Sequence, residues 1–301
     1  MLDPVPAEHP DRSSRCRICG RFAGSPVAHP HPWTYLACRA CGVFWVEPMP
    51  EGAAIQDAGN AYTEAYYSGE ARPDEAAYEA LTRQVMAARM ERIESELGRT
   101  GQLLDVGCAT GAQLLAARER GWRALGVEVS DTAAAAARAQ GLEVITATLD
   151  QADLADGSFD AIVLSHVLEH VPDPVGLLRE CRRLIKPDGV VALALPNSAG
   201  FVHTATNLFH RLRGRFGRDR YSCSLFPPYH LYAFDPPSLV RALAQVELYP
   251  TQIRITGKGD PETYPMRSWR RVGRMAFAQR VTERVGRAIG RGSLLEVLAR
   301  P

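Results

Sequence analysis

The stretch that decides the fold is Leu103-Leu104-Asp105-Val106-Gly107-Cys108-Ala109-Thr110-Gly111-Ala112-Gln113-Leu114. Two leucines run into an acidic residue, a Gly-x-x-x-Gly turn follows, and a helix-forming run over residues 114–120 takes over. This is the pattern of the first strand, ligand loop and first helix of a βαβ unit. Glycine in such a turn has no Cβ, so the backbone bends sharply and comes close to a ligand. The aspartate leaves a fixed charge beside that loop.

Downstream the alternation continues, which is the signature of a parallel sheet. Residues 123–129 read as a second strand with Glu128 near its end, and Ser130-Asp131 caps an alanine-rich helix reaching residue 140. Residues 143–148 and 160–165 read as the third and fourth strands. A helix over 174–185 and the turn Lys186-Pro187-Asp188-Gly189 lead into a fifth strand at 190–195. Residues 251–256 and 293–299 supply two more strands, although the leucines of the latter would also suit a helix.

Upstream, Cys16-Arg17-Ile18-Cys19-Gly20 and Cys38-Arg39-Ala40-Cys41-Gly42 form two CxxC turns with 18 residues between them. Each turn aims two thiolates at one centre, and four sulfurs leave no open position, as in a structural zinc site. Two disulfides are the rival reading, but a cytosolic chain keeps its thiols reduced. A redox CxxC would need one pair beside a thioredoxin-like unit. Residues 1–50 are therefore expected to form a zinc ribbon held by Cys16, Cys19, Cys38 and Cys41, its final strand ended by Pro48 and Pro50. Of the scattered cysteines, Cys181 is expected in the core, Cys108 to matter through its backbone, and Cys223 has no assigned role. Residues 51–100 read as a linker containing Tyr62, Tyr66 and Tyr67, then a lead-in helix from Glu75 to Leu97. In that helix Leu81, Val85, Met86, Met90, Ile93 and Leu97 recur at helical spacing.

At 301 residues and 46% hydrophobic composition the chain can bury a substantial core. Its first twelve residues are proline-rich and acidic, without the apolar segment of a signal peptide. The longest strongly apolar run, 190–195, is far short of the roughly 20 residues that cross a bilayer. A cytoplasmic protein is expected. The net charge of +1 conceals an asymmetry: residues 200–301 hold 17 Lys and Arg against 7 Asp and Glu, leaving 18 against 27 in residues 1–199. The basic third is either a solvated face or a surface for an anionic substrate, nucleic acid or membrane.

Glu128 lies 21 residues after Gly107, at a strand end where doubly wound sheets place an acid on ribose hydroxyls. That feature alone fits nicotinamide enzymes too. The loop, however, lacks the Gly-x-Gly-x-x-Gly spacing that brings backbone onto a pyrophosphate. Asp105 would repel phosphates and suit a cationic ligand with an amino group. Gly157-Ser158-Phe159-Asp160-Ala161-Ile162-Val163-Leu164-Ser165-His166-Val167-Leu168-Glu169-His170-Val171-Pro172 completes the picture. Across residues 100–200 the chain resembles class I S-adenosylmethionine (SAM) methyltransferases, and Tyr229 to Leu239 is similar to a later segment of those enzymes. The resemblance implies an α/β fold with a Rossmann-like, seven-stranded, mostly parallel sheet and an antiparallel last strand, here preceded by the zinc ribbon. It implies SAM as cofactor. Asp105 and the backbone of Gly107, Cys108, Ala109 and Gly111 would hold its methionine part, Glu128 its ribose, and Thr148 and Leu149 its adenine, with Val129 a further cofactor-binding residue. Ser165 and His166 would close the floor. The chain departs at Ala109, where the family usually carries a middle glycine, and a slightly tighter pocket is expected.

Transfer of a methyl group from a sulfonium is an in-line displacement that depends on positioning. A hydroxyl acceptor also needs a base, and His166, His170 and His230 are the candidates. His166-x-x-Glu169-His170 matches the inverted zincin pattern, but that motif needs a continuous helix, and here a strand ends at Ser165 and Pro172 follows. Ubiquinone-pathway and small-RNA methyltransferases bind a divalent ion through Glu-x-x-Glu-His; His166 replaces the first glutamate, which weakens a hard-cation site.

The leading expectation is an enzyme methylating a small-molecule acceptor, sugar-like, glycan-related or phosphorylated. The ribbon joined to a SAM domain resembles nucleotide-sugar C-methyltransferases, without their large C-terminal domain. Residues 200–228, with Phe201, Phe209, Phe216, Tyr221 and Phe226 among Arg211, Arg213, Arg215, Arg218 and Arg220, sit where a lid is usual. A basic insertion at 262–291, with Trp269, Val272, Met275, Val281, Val285 and Ile289, suits either packing or peripheral membrane contact. The alternatives are an RNA methyltransferase, whose polyanion affinity would fall steeply with salt, and a non-enzymatic SAM-binding protein.

Overall fold

The computed structural model describes residues 15–21, 26–28, 33–50, 75–215, 230–257 and 274–301. In chain order it begins with three short strands, β1 (Pro26–Ala28), β2 (Thr34–Ala37) and β3 (Phe44–Glu47), and the long helix α1 (Glu75–Leu97). Then come β4 (Gln102–Val106), α2 (Ala112–Glu119), β5 (Arg123–Glu128), α3 (Asp131–Ala139), β6 (Glu143–Thr146), β7 (Phe159–Ser165), α4 (Pro174–Leu184) and β8 (Ile185–Pro196). The last third holds α5 (Phe201–Leu212), β9 (Tyr232–Ala233), α6 (Pro236–Ala244), β10 (Tyr249–Thr256), α7 (Arg274–Ala288) and β11 (Leu294–Arg300).

Seven strands form one sheet in the order β10-β11-β8-β7-β4-β5-β6. From β8 to β6 every pairing is parallel, and β11 runs antiparallel to both of its neighbours. The Rossmann-like sheet with a reversed last strand is thus present. Residues 294–300 resolve as a strand, buried at every position but the last.

The opening stretch explains the centre of this sheet. In β4 successive side chains face opposite sides: Leu103 joins Met90, Leu114, Trp122 and Val163 on one face, and Leu104 joins Val127, Ile162, Leu164 and Leu193 on the other. A strand buried on both faces reads as a near-continuous apolar run, as Leu103, Leu104 and Val106 do around Asp105. Helix starts follow their caps. The Ser130 hydroxyl accepts from Ala133 N at α3, the Asp173 carboxylate from Gly176 N at α4, and Asp235 with Ser238 forms a capping box at α6.

The fifth strand differs from expectation. It starts at Ile185, so Lys186-Pro187-Asp188-Gly189 lies within β8 instead of preceding it. Two contacts draw this segment onto the sheet: Ile185 pairs with Phe159, and Lys186 Nζ lies 2.8 Å from Asp160 Oδ2. Asp160 is buried, yet Lys186, Gln102 N and Arg99 hold its carboxyl below the usual range.

The second sheet has four strands in the order β1-β2-β3-β9. Three belong to the cysteine module; the fourth comes from the segment after His230. Phe44 pairs with Ala233 and Trp45 with Tyr232. Ile18, Tyr35, Leu36, Trp45 and Val46 are buried in the same continuous core as Leu104, Leu164, Leu231, Tyr232 and Phe234. The module therefore packs as part of the main body.

The expected lid and basic insertion are described in part. Residues 201–212 form α5 and 274–288 form α7, which pack on one another. Leu208, Phe209 and Leu212 on α5, with Val281 and Val285 on α7 and Ile289 just beyond it, are exposed. Arg213 stacks over the Phe209 ring at 4.4 Å. Tyr62, Tyr66, Tyr67, Phe216, Arg218, Arg220, Tyr221, Cys223, Phe226, Trp269 and Val272 lie outside the described residues. Among the described residues no helix is long and apolar enough to cross a membrane.

Candidate active site

The glycine loop sits at the carboxyl end of β4, the middle one of the five parallel strands. Gly107 and Gly111 have φ of +70° and +89°, and Ala109 between them has φ of +48°. A Cβ on Gly107 would lie 2.6 Å from Val167 Cγ2, and one on Gly111 would lie 2.2 Å from Leu142 Cδ1. Glycine is required at both places. Glu128, at the end of β5, braces this loop: its Oε2 accepts from Ala109 N and its Oε1 from Ser130 N, both at 2.9 Å. A carboxylate offers about four acceptor sites, so two such bonds leave capacity for ligand hydroxyls.

Asp105 is buried at the strand end. Burial pushes its carboxyl up to about 7, opposed by the Arg89 charge and assisted by Glu128. Arg89 is itself buried and donates to Gln113 Oε1 at 2.9 Å. The sequence reading missed Arg89. Its signal was a cation on the apolar face of α1, at i−1 to Met90 and i−4 to Ile93. Cys108 turns its thiol into the core against Gly126, where a Cβ would meet its Sγ at 2.5 Å. Val129 is exposed beside Glu128. Thr148 is exposed, and Leu149 after it is buried.

The second half of the site follows β7. Ser165 ends the strand, paired beside β8, and His166 takes φ of +56°. Positive φ at a non-glycine residue is strain of the kind found at functional sites. It turns the chain into the segment carrying Val167, which abuts Gly107, and Glu169, which is buried. His166 Nδ1 lies 3.2 Å and His170 Nε2 3.8 Å from Glu169 Oε1. The His170 and His230 rings meet edge to face at 5.0 Å. Burial opposes ionisation of Glu169, but the His166 hydrogen bond, and the charge that the surrounding imidazoles carry when protonated, outweigh it and hold the carboxyl at about 2. His230 is pushed down to about 4, first by burial and then by His170. All three candidate histidines thus gather round one carboxylate, which the sequence reading had treated only as part of a motif. Ligand atoms of Glu169, His170 and His230 lie within 4.8 Å of one another, close enough to share one cation.

The four N-terminal cysteines also converge, with all four sulfurs within 4.8 Å. Cys16 and Cys41 Sγ are 3.6 Å apart, and Cys19 and Cys38 Sγ 3.5 Å. Zinc–sulfur bonds of about 2.3 Å in a tetrahedron place sulfurs about 3.8 Å apart, so the donor set fits. Backbone N–H groups of Cys19 and Ile18 turn toward the Cys16 sulfur, and that of Val43 toward Cys41.

Residues 104–193 match the family described as "Methyltransferase domain". A ubiquinone biosynthesis O-methyltransferase of Pseudomonas paraeruginosa (strain DSM 24068 / PA7) is 37% identical over 117 residues, covering 36% of this chain and 50% of that protein. One from Methylococcus capsulatus is 36% identical and covered to 49%. The chain spans about half the length of the curated relatives it matches. Among solved structures, a SAM-dependent methyltransferase from Archaeoglobus fulgidus superposes with a TM-score of 0.53 at 17% identity, over 78% of this chain and 98% of that one. A Burkholderia thailandensis 1,6-didemethyltoxoflavin-N1-methyltransferase, solved with S-adenosylhomocysteine, gives 0.53 at 18% identity, over 92% and 99%. The sheet order, the reversed strand and these likenesses agree: residues 104–193 are similar to the methyltransferase-domain family, and the chain has the Rossmann-like fold of class I SAM-dependent methyltransferases.

Proposed function

We propose that this protein is a SAM-dependent methyltransferase acting on a small-molecule acceptor. The observation that carries the reading is the contact between Gly107 and Val167. It joins a glycine loop flanked by two acids to a histidine cluster built on a buried carboxylate, at adjoining ends of β4 and β7. Asp105 meets the ammonium group of the methionine part, and the backbone of Gly107, Cys108, Ala109 and Gly111 lines it. Glu128 and Val129 take the ribose, Thr148 and Leu149 the adenine, and Ser165 the floor. SAM supplies the electrophilic methyl group; the protein supplies orientation and a proton acceptor.

His166 is the best-placed base. Glu169 holds Nδ1, which leaves Nε2 as the acceptor atom on a half-exposed ring. His230, held neutral by burial, lines the acceptor side with His170. A second reading of the same corner has Glu169, His170 and His230 holding a divalent cation that lowers the acceptor's pKa; their mutual spacing supports it. Zinc in the cysteine cluster is structural, because four sulfurs leave no open position. The basic residues of α5 and α7 favour an acceptor carrying phosphate or another anion.

The test pairs calorimetry with an acceptor screen. Wild-type protein is expected to bind SAM, and Glu128→Ala to lose that binding while keeping its circular dichroism. Methyl-labelled SAM incubated with a small-molecule extract should give a labelled product, about 100-fold less with His166→Ala. SAM affinity unchanged in Glu128→Ala would overturn the cofactor assignment. Label appearing only on added RNA would overturn the acceptor class.

A further inference from the structure

We propose that the cysteine module is a wall of the acceptor site and that Tyr35 is the residue through which it positions His230. The main chain of residues 230–232 is gripped from two sides. On the module's side the Tyr35 hydroxyl donates to the His230 carbonyl, and Val46 N donates to Leu231 O at 3.0 Å. Strand β3 then pairs with β9 through Trp45 and Tyr232. On the other side Leu231 N and Tyr232 N donate to Glu169 O at 2.8 and 3.1 Å, and the Tyr232 hydroxyl donates to Pro172 O at 2.9 Å.

His230 is therefore held between the module and the turn that carries Glu169. Tyr35 is fully buried, so its hydroxyl is fixed by packing and acts as a rigid strut. The strut depends on the cysteine cluster. Strands β2 and β3 are the arms on either side of Cys38-x-x-Cys41, closed by Cys38 N donating to Val43 O at 2.9 Å. The Gln245 side chain, at the end of α6, donates to the Ile18 carbonyl inside the first CxxC turn and anchors it to the main body. Drawing the four sulfurs together sets the hairpin, the hairpin sets Tyr35, and Tyr35 sets His230. Among the described residues, the hydrogen bonds from Tyr35 and β3 across to this segment end at residues 230–233, and none of them is made to Asp105, Glu128 or the glycine loop. The metal state of the module thus governs acceptor chemistry and leaves SAM binding alone. Only the role of His230 in the reaction rests on the methyltransferase reading.

The experiment compares the full chain as zinc-loaded wild type, zinc-stripped wild type and Tyr35→Phe, by amide hydrogen exchange and by NMR of labelled histidine rings. Both altered proteins are expected to exchange at Leu231 and Tyr232 at least tenfold faster and to shift the His230 ring signal. Amides of Gly107 and Ala109 should be unchanged and SAM affinity should stay within twofold. Tyr35→Phe should keep its zinc, and with an acceptor in hand its kcat should fall while KM for SAM holds. Unchanged protection at Leu231 and Tyr232 with an unmoved His230 signal in zinc-replete Tyr35→Phe would overturn the proposal. If zinc removal unfolds the chain, Tyr35→Phe decides alone. Absence of SAM binding in zinc-loaded wild type would instead count against the methyltransferase reading, and the exchange result would stand independently.

Discussion

Ala109 carries a left-handed backbone that glycine adopts freely and an L-residue adopts at a cost of roughly 1–2 kcal/mol. Replacing it with glycine removes that strain but returns about 0.4–1 kcal/mol of freedom to the unfolded chain. Ala109→Gly should therefore stabilise the protein by about 0.5 kcal/mol in urea unfolding, with SAM affinity preserved. A loss of 1 kcal/mol would show that the methyl group makes contacts that outweigh the strain. Asp105 gives a pH prediction. Its folded value of about 7 lies above the ordinary 3.8, so folding disfavours the charged form. That penalty is absent below about pH 4 and grows as pH rises toward 7. An ammonium group beside the carboxylate reverses the preference. SAM affinity should rise from pH 6 to 8 and then level, and binding near pH 6 should release protons, seen by calorimetry in buffers of different ionisation enthalpy. A flat profile in wild type, or one unchanged in Asp105→Asn, would contradict this. At this scale the sequence was most legible where chemistry and backbone demand coincide, as at Asp105, Gly107 and Gly111. Arg89 and Glu169 were harder to see, because their importance comes from neighbours far along the chain.

The elements that build the site meet at loop tips. The β4–α2 turn and the segment after β7 approach one another at Gly107 and Val167, so bulk added at Gly107 presses on the segment after β7. Gly107→Ala places a methyl group 2.6 Å from Val167 Cγ2 at a φ of +70°. It should weaken SAM binding at least tenfold by calorimetry and shift the His166 ring signal as well. A loss confined to SAM binding would mean that the two loops are independent. Element existence was readable from periodicity, because parallel strands buried on both faces read as apolar runs. Boundaries were less so: β8 begins five residues before the apolar run, since Ile185 and Lys186 are drawn in by Phe159 and Asp160. Strand β9 left no periodic trace, since two residues pairing with a strand almost two hundred positions earlier carry no local pattern.

At the scale of the molecule, the cysteine module and the Rossmann-like sheet share one core. Metal analysis should find one zinc per chain. Cys38→Ser should lose it and lower the melting temperature by at least about 5 °C, given about 2–4 °C per kcal/mol for a body of this size. A Cys38→Ser protein that kept both its zinc and its melting temperature would contradict the cluster. The cysteine cluster was legible as four cysteines in two turns; the merger of its strands with the main body was not, because tertiary packing leaves no mark in spacing. The reversed strand β11 has a consequence for synthesis. It follows both of its neighbours in sequence, yet it lies between β8 and β10 and, among the described strands, is the one that β10 pairs with. Until residues 294–300 leave the ribosome, β8 presents an open edge and β10 has nothing to pair with. A nascent chain stalled before Leu294 would carry two unsatisfied sheet edges at once, the condition that invites pairing with a neighbouring copy. Translation of residues 294–300 is thus the step that closes the described sheet.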